Sequence, residues 1–180
     1  FMLDKKAIDS FDEFVEQFIG ESDRSAVVLS AAKLDQQLYF LLSRYLLKSY
    51  NKQQDELLDG DSPLASFSAR INLCYRVGLI DKSFADALHI VRKIRNDFAH
   101  KVTARLTDSP YRDRMRNLVN IVGESQLFSD VKDVYGLTEN HLKSEYFVAI
   151  IVLAIQLEAK VNLTIALTPE KPLSVLSTNN

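Results

Sequence analysis

At 180 residues the chain is long enough for one domain, and folding at this size removes roughly 70% of the unfolded surface from water, so a core needs no covalent staples. With 47% apolar residues, 26% charged residues and a net charge of −2, the composition excludes a disordered acidic chain, a low-complexity tract and a uniformly basic nucleic-acid coat. Five Gly, four Pro and no Trp are too few turn residues for a sandwich of short strands. The expected fold is all-α: a single domain over 1–180, with a helical bundle of about six or seven helices over 1–167 and an irregular tail over 168–180.

In chain order, Ile8, Phe11, Val15 and Phe18 form one stripe and predict a helix over about 4–19, ending at Gly20. A second helix starts near Ser22 or Asp23 and runs to about Tyr50, with Val27, Ala31, Leu34, Leu38, Leu41, Leu42 and Tyr45 at spacings of three and four. It is the expected central core helix. Asp59-Gly60 and Ser62-Pro63 mark a turn and a helix start, predicting a helix over about 64–76 that stops at Gly78. Asp81 caps the next, to about His100. Ser109-Pro110 opens another, carrying Tyr111 to Val122; 123–140 reads as looser, broken at Gly123 and Gly136; and a long apolar helix follows over about 139–166. Its greasy run, Tyr146 to Leu157, is shorter than the ~20 residues a bilayer requires, so no membrane partner is expected.

The opening FMLDKKAIDSFDEF has acids where a signal peptide needs an apolar run, and Cys74 is alone, which leaves no disulfide framework. A cytoplasmic protein is the expectation. Inside an apolar helix Cys74 reads as core. His89 and His100 are about 16 Å apart along their helix, beyond shared coordination, and no Gly-rich phosphate loop, GxSxG or HExxH string is present. Neither metal nor cofactor is expected.

Charge is uneven. Residues 92–116 hold eight basic and three acidic side chains in a chain that is otherwise neutral or acidic. Arg92, Lys93, Lys101, Arg105, Arg112, Arg114 and Arg116, with Arg95, read either as a solvated face paired with the acidic first helix or as a surface for RNA or DNA phosphates. Within this region Phe84, Ala87, Val91, Ile94 and Phe98 must face the core, leaving His89, Lys93, Asn96 and His100 on the other face. Asn96 and His100, four apart, are neighbours. An imidazole that titrates near neutrality, a cation and an orienting polar group are the types that metal-free RNA cleavage requires, and His100, Arg95 and Asn96 supply them. Structural roles fit as well: His100 bonding a carbonyl near its helix end, and Arg95 pairing with an acid on a neighbouring helix.

Two resemblances bear on function. Arg95-Asn96-Asp97-Phe98-Ala99-His100 resembles the Arg-x(4–6)-His signature of the HEPN superfamily of helical RNases and RNA-binding domains, which implies a metal-independent site built where two copies meet across a homodimer. The longer segment Leu57-Leu58-Asp59-Gly60-Asp61-Ser62-Pro63-Leu64, continuing through Ser68-Ala69-Arg70-Ile71-Asn72-Leu73 to Tyr75-Arg76-Val77-Gly78-Leu79-Ile80, resembles the mannitol operon repressor (MltR) family. Asp59, Gly60, Asp61, Pro63, Leu64, Arg70 and Gly78 carry that likeness, which implies a cytoplasmic all-α regulator of a sugar-alcohol uptake operon. From the residues alone, Asp59-Gly60 makes a tight turn, Ser62 or Asp61 caps, Pro63 sits near the first helical position, and Arg70 offers a cation for an interhelical salt bridge or a ligand. The chain departs from the family pattern in the basic helix that follows the block.

Helices 64–76 and 81–98 also resemble a helix-turn-helix, but its reading end presents Asp81, Lys82, Ser83 and Asp86, which is net negative. A transcription-associated regulator acting through a protein partner is therefore the leading expectation, as a homodimer, with a HEPN-type RNase or RNA-binding module as the alternative.

Overall fold

The structure is a computed structural model and describes residues 13–16, 21–51, 53–135 and 142–169. Among these, six helices follow one another: α1 (Asp23–Tyr45), α2 (Phe67–Arg76), α3 (Lys82–His100), α4 (Ser109–Val122), α5 (Gln126–Val134) and α6 (Leu142–Leu163). Residues 13–16 form a further helical turn, and Val15 is buried. The rest of the expected 4–19 helix, Gly136, the first residues of the expected 139–166 helix and most of the expected tail lie outside the described residues. No strand occurs among the described residues, so the all-α expectation holds.

Four helices close a ring: α1 packs on α3, α3 on α4, α4 on α6 and α6 back on α1. Outside the ring, α2 bridges α1 and α3, while α5 packs on α6. α1 is a principal core helix, as its stripe predicts, burying Val27, Leu34, Leu38, Leu41 and Leu42. Every residue of α6 from Tyr146 to Ala154 is buried. At 22 residues, with an 18-residue stretch of mean hydropathy 1.7, α6 is long and apolar enough to cross a membrane by length and composition alone, which corrects the shorter run read from the sequence. Burial inside the ring is what marks it as a core helix. Two polar links tie it to α1. Tyr146 donates to Ser30 Oγ (3.3 Å), whose own proton goes to the Val27 carbonyl, and Gln37 Nε2 donates to the Ala154 carbonyl (3.0 Å) and to Glu158 (3.1 Å).

Several boundaries differ from the periodicity. α1 stops at Tyr45 rather than Tyr50, because the segment after α6 returns to finish it: Leu167 N–H donates to the Tyr45 carbonyl and Arg44 Nε to the Thr164 carbonyl. α2 begins at Phe67, capped by Ser66 Oγ, so neither Ser62 nor Asp61 caps it and Pro63 lies in the preceding turn. Ser62 Oγ instead donates to the Leu57 carbonyl. The stop at Gly78 is as read: its φ of +76° permits a Schellman closure in which Gly78 N–H reaches the Tyr75 carbonyl and Leu79 N–H the Cys74 carbonyl. In the segment expected to be loose, Ser125 caps α5, which buries Phe128 and Val131.

Candidate functional site on the outer face of α3

Asp81 opens α3 by accepting from Phe84 N–H, and Phe84, Ala87, Leu88, Val91, Ile94 and Phe98 bury the inner stripe. Phe98 meets the Tyr111 ring edge-on at 4.9 Å, joining α3 to α4. The outer face is thereby set. Lys93, Arg95 and His100 are exposed, and His89, Arg92 and Asn96 are half-buried.

Arg95 donates to Asn96 Oδ1 (3.2 Å) and has no carboxylate partner among the described residues. His100 does not bond the carbonyls near its helix end. Those are held by Arg24 of α1, which donates through Nη1 to the Phe98 carbonyl and through Nη2 to the Lys101 carbonyl (2.6 Å). His100 remains the basic residue in the last turn of α3, where its charge can face the helix dipole. Arg24's neighbour Asp23 pairs with Lys143 (2.7 Å) and accepts from Leu106 N–H (3.0 Å), so one corner of α1 fastens α3, the 101–108 loop and α6. Partial burial raises the Asp23 pKa, but the Lys143 hydrogen bond, the Leu106 amide and the charges of Lys143 and Arg105 outweigh it and hold the carboxyl below its ordinary value.

The cationic segment divides in two. Arg114 pairs with Asp97 (2.7 Å) and lies over the Tyr111 ring, and Arg116 meets Asp113 (3.6 Å) within its own helix. Lys93, Lys101, Arg105 and Arg112 are exposed. Arg92 lies beside Arg95 on a groove of about 380 Å³ between α1, the start of α2 and α3, which Asn96 also lines and His100 does not.

Arg92 Nε donates to His89 Nδ1 (3.4 Å), which leaves the imidazole proton on Nε2 to meet Asn72 Oδ1 (3.0 Å). Burial, then the charges of Arg92 and Lys93, push the His89 pKa down, so the neutral ring suits its surroundings. Burial pushes the Cys74 thiol up to about 12, the state of a core residue rather than a nucleophile. Among the described residues no three His, Cys, Asp or Glu side chains gather closely enough to hold a metal ion.

The block from Leu57 to Ile80 is a structural joint. Arg70 reaches from α2 to Asp35 of α1 (2.8 Å), donates to the Leu58 carbonyl (3.0 Å) and lies over the Tyr39 ring, so the salt bridge, not an exposed ligand cation, is its role here. Asp59 accepts from Asp55 N–H and from the Tyr39 hydroxyl, whose pKa rises first through that bond and then through burial. Gly60 turns at φ +62°, where a Cβ would come within 2.8 Å of Gln54 Nε2. At the start of α3, exposed Lys82 pairs with Asp86 (2.5 Å) beside the capping Asp81, so the reading end of the apparent helix-turn-helix is net negative.

Sequence reasoning missed Arg24, which no motif marks, and the groove, which three separate elements create.

No protein-family model and no curated protein matches the chain. Two solved structures resemble it. One is the MtlR-HPr complex from Escherichia coli, at 17% identity over 85% of this chain and 98% of that chain, with a TM-score of 0.54. The other is a possible transcriptional regulator, YggD, from Shigella flexneri 2a, at 15% identity over 84% and 95% of the two chains, with a TM-score of 0.55. At such identities the likeness shows the fold: an MtlR-like helical arrangement.

Proposed function

We propose that this chain is a transcription-associated regulator of the mannitol operon repressor type, cytoplasmic and homodimeric, acting through a protein partner rather than by reading DNA itself. One observation carries the reading: the 57–80 block that resembles that family forms the α1–α2 joint of a chain with an MtlR-like fold, with Asp59, Gly60, Arg70 and Gly78 each in a specific structural role. The net negative start of α3 supports partner action over base reading. HPr, found in complex with MtlR, is the partner to try first. Calorimetric titration of the purified chain with HPr from the same organism is expected to give saturable binding, and deletion of the gene is expected to alter mannitol-operon expression. Absence of both effects overturns the reading.

A second reading is favoured by the exposed Arg95 and His100 at the end of α3. In a HEPN-type ribonuclease, His100 would exchange a proton with the attacking 2′-hydroxyl or the leaving oxygen, Arg95 would stabilise the developing phosphorane charge, and Asn96 would hold Arg95 through the 3.2 Å bond. Cleavage of labelled RNA without metal, lost in His100→Ala, is its expected signature; no cleavage, or cleavage unchanged by the substitution, sinks it.

A further inference from the structure

The groove between α1, the start of α2 and α3 has walls of different chemistry. Arg92, Arg95 and Asn96, at spacings of three and four along α3, form one polar wall. From the start of α2, Ser66, whose Oγ also accepts from Ala69 N–H, and Ser68 add hydroxyls to the lining, and Ala31 and Ala32 of α1 add aliphatic surface. The charges on this lining do not balance. Asp35, the one carboxylate on it, is already taken by Arg70 at 2.8 Å. Arg92 bonds only a neutral imidazole and Arg95 only an amide, so both guanidinium groups lack a carboxylate among the described residues. Arg114 and Arg116, a helix away, each have one. Two cations one turn apart repel, and an anion between them turns that repulsion into two charge-assisted hydrogen bonds. A volume of about 380 Å³ falls at the small end of the range for metabolite sites. Hydroxyls and aliphatic surface suit a ligand with a polyhydroxy carbon body better than a bare ion.

We infer that this groove binds a small phosphorylated metabolite, with its phosphoryl group between Arg92 and Arg95 and its carbon body on Ala31 and Ala32, facing Ser66 and Ser68. The inference stands whether or not a protein partner is bound elsewhere.

Isothermal titration of the full chain with glucose 6-phosphate, inorganic phosphate, glucose and a U-rich oligoribonucleotide tests it. Saturable binding of glucose 6-phosphate is expected, weaker binding of phosphate, and none of glucose. Arg92→Gln and Arg95→Gln are each expected to weaken binding about tenfold or more, equivalent to about 1.4 kcal/mol. Arg116→Gln, on the far helix, should leave it unchanged. Ala32→Phe fills the groove without altering charge and should abolish binding; because Ala32 is exposed, the core is spared, and a helical circular dichroism spectrum verifies that. Should that variant misfold, Ser68→Ala takes its place, with a smaller loss expected. No saturation with glucose 6-phosphate overturns the inference. So does full affinity in a folded Ala32→Phe protein, which would mean diffuse charge attraction, or binding of the oligoribonucleotide alone, which would mean a nucleic-acid surface.

Discussion

α3 and α6 are of similar length, 19 and 22 residues, yet they meet their surroundings in opposite ways. α6 is enclosed by α1, α4 and α5, and from Tyr146 to Ala154 every side chain is dictated by packing. α3 buries a single stripe, and on its outer face Arg92 and Arg95 have no carboxylate partner among the described residues. There packing leaves residue identity free, so charge rather than volume sets what that face can do. Helix α6 teaches how the bundle stands; α3 teaches where to look for what it does.

The largest expected effect that sharpens this contrast is in α6. Ile150→Ala deletes a fully buried side chain and should cost about 2–5 kcal/mol, lowering Tm by on the order of 10 °C, whereas Lys93→Ala on α3 should stay within about 0.5 kcal/mol. Thermal melts of the two variants make the comparison. Arg70→Met comes next: it strands Asp35 and the Leu58 carbonyl at a largely buried joint and should cost about 2 kcal/mol by urea denaturation, against well under 1 kcal/mol for Arg114→Ala at a more open pair. Equal losses would break the distinction between joint and surface.

Arg24→Ala should cost about 1–2 kcal/mol and, more tellingly, speed amide exchange at the end of α3 while leaving α6 protected. His89 gives a smaller, pH-dependent effect. Its pKa is pushed below the ordinary ~6.5 chiefly by burial, then by Arg92 and Lys93, with Asp86 opposing, so the unfolded chain takes up the proton first as pH falls. The stability it contributes is full above that value and is lost as pH drops through and below it. His89→Gln should flatten the stability profile across that window; an unchanged slope would remove His89 as its source.

Much of the fold was legible in the sequence because helical periodicity and start signals are local: the stripes of α1 and α3 and the Ser109-Pro110 start of α4 are read within a few turns. What escaped was short or distant. The nine residues of α5 sit just after a glycine that reads as a break, and the cap at Ser125 with Phe128 and Val131 three and six residues on was the available clue. The start of α2 was misplaced because Ser62-Pro63 carries a start signal that the chain uses for a turn. At the candidate site the helix face was readable, since the positions of Arg95, Asn96 and His100 follow from 100° per residue. The groove was not, because Asp35, Ser68 and Arg92 are brought together only by packing, and Arg24 lies 74 and 77 residues from the carbonyls it holds.

The bond from Tyr146 to Ser30 gives the molecule a built-in optical gauge. With no Trp and seven Tyr, near-ultraviolet absorption comes mainly from phenols, and burial, opposed by the Ser30 hydrogen bond, pushes the pKa of Tyr146 up to about 12. While α1 and α6 remain closed, Tyr146 resists ionisation, because burial disfavours its phenolate more than the Ser30 hydrogen bond favours it. The unfolded chain, which loses this proton near 10, gains on the folded one as pH rises beyond that point. A phenolate step lost in Tyr146→Phe therefore reports the exposure of this contact between α1 and α6, so the opening of the core is read without any added label.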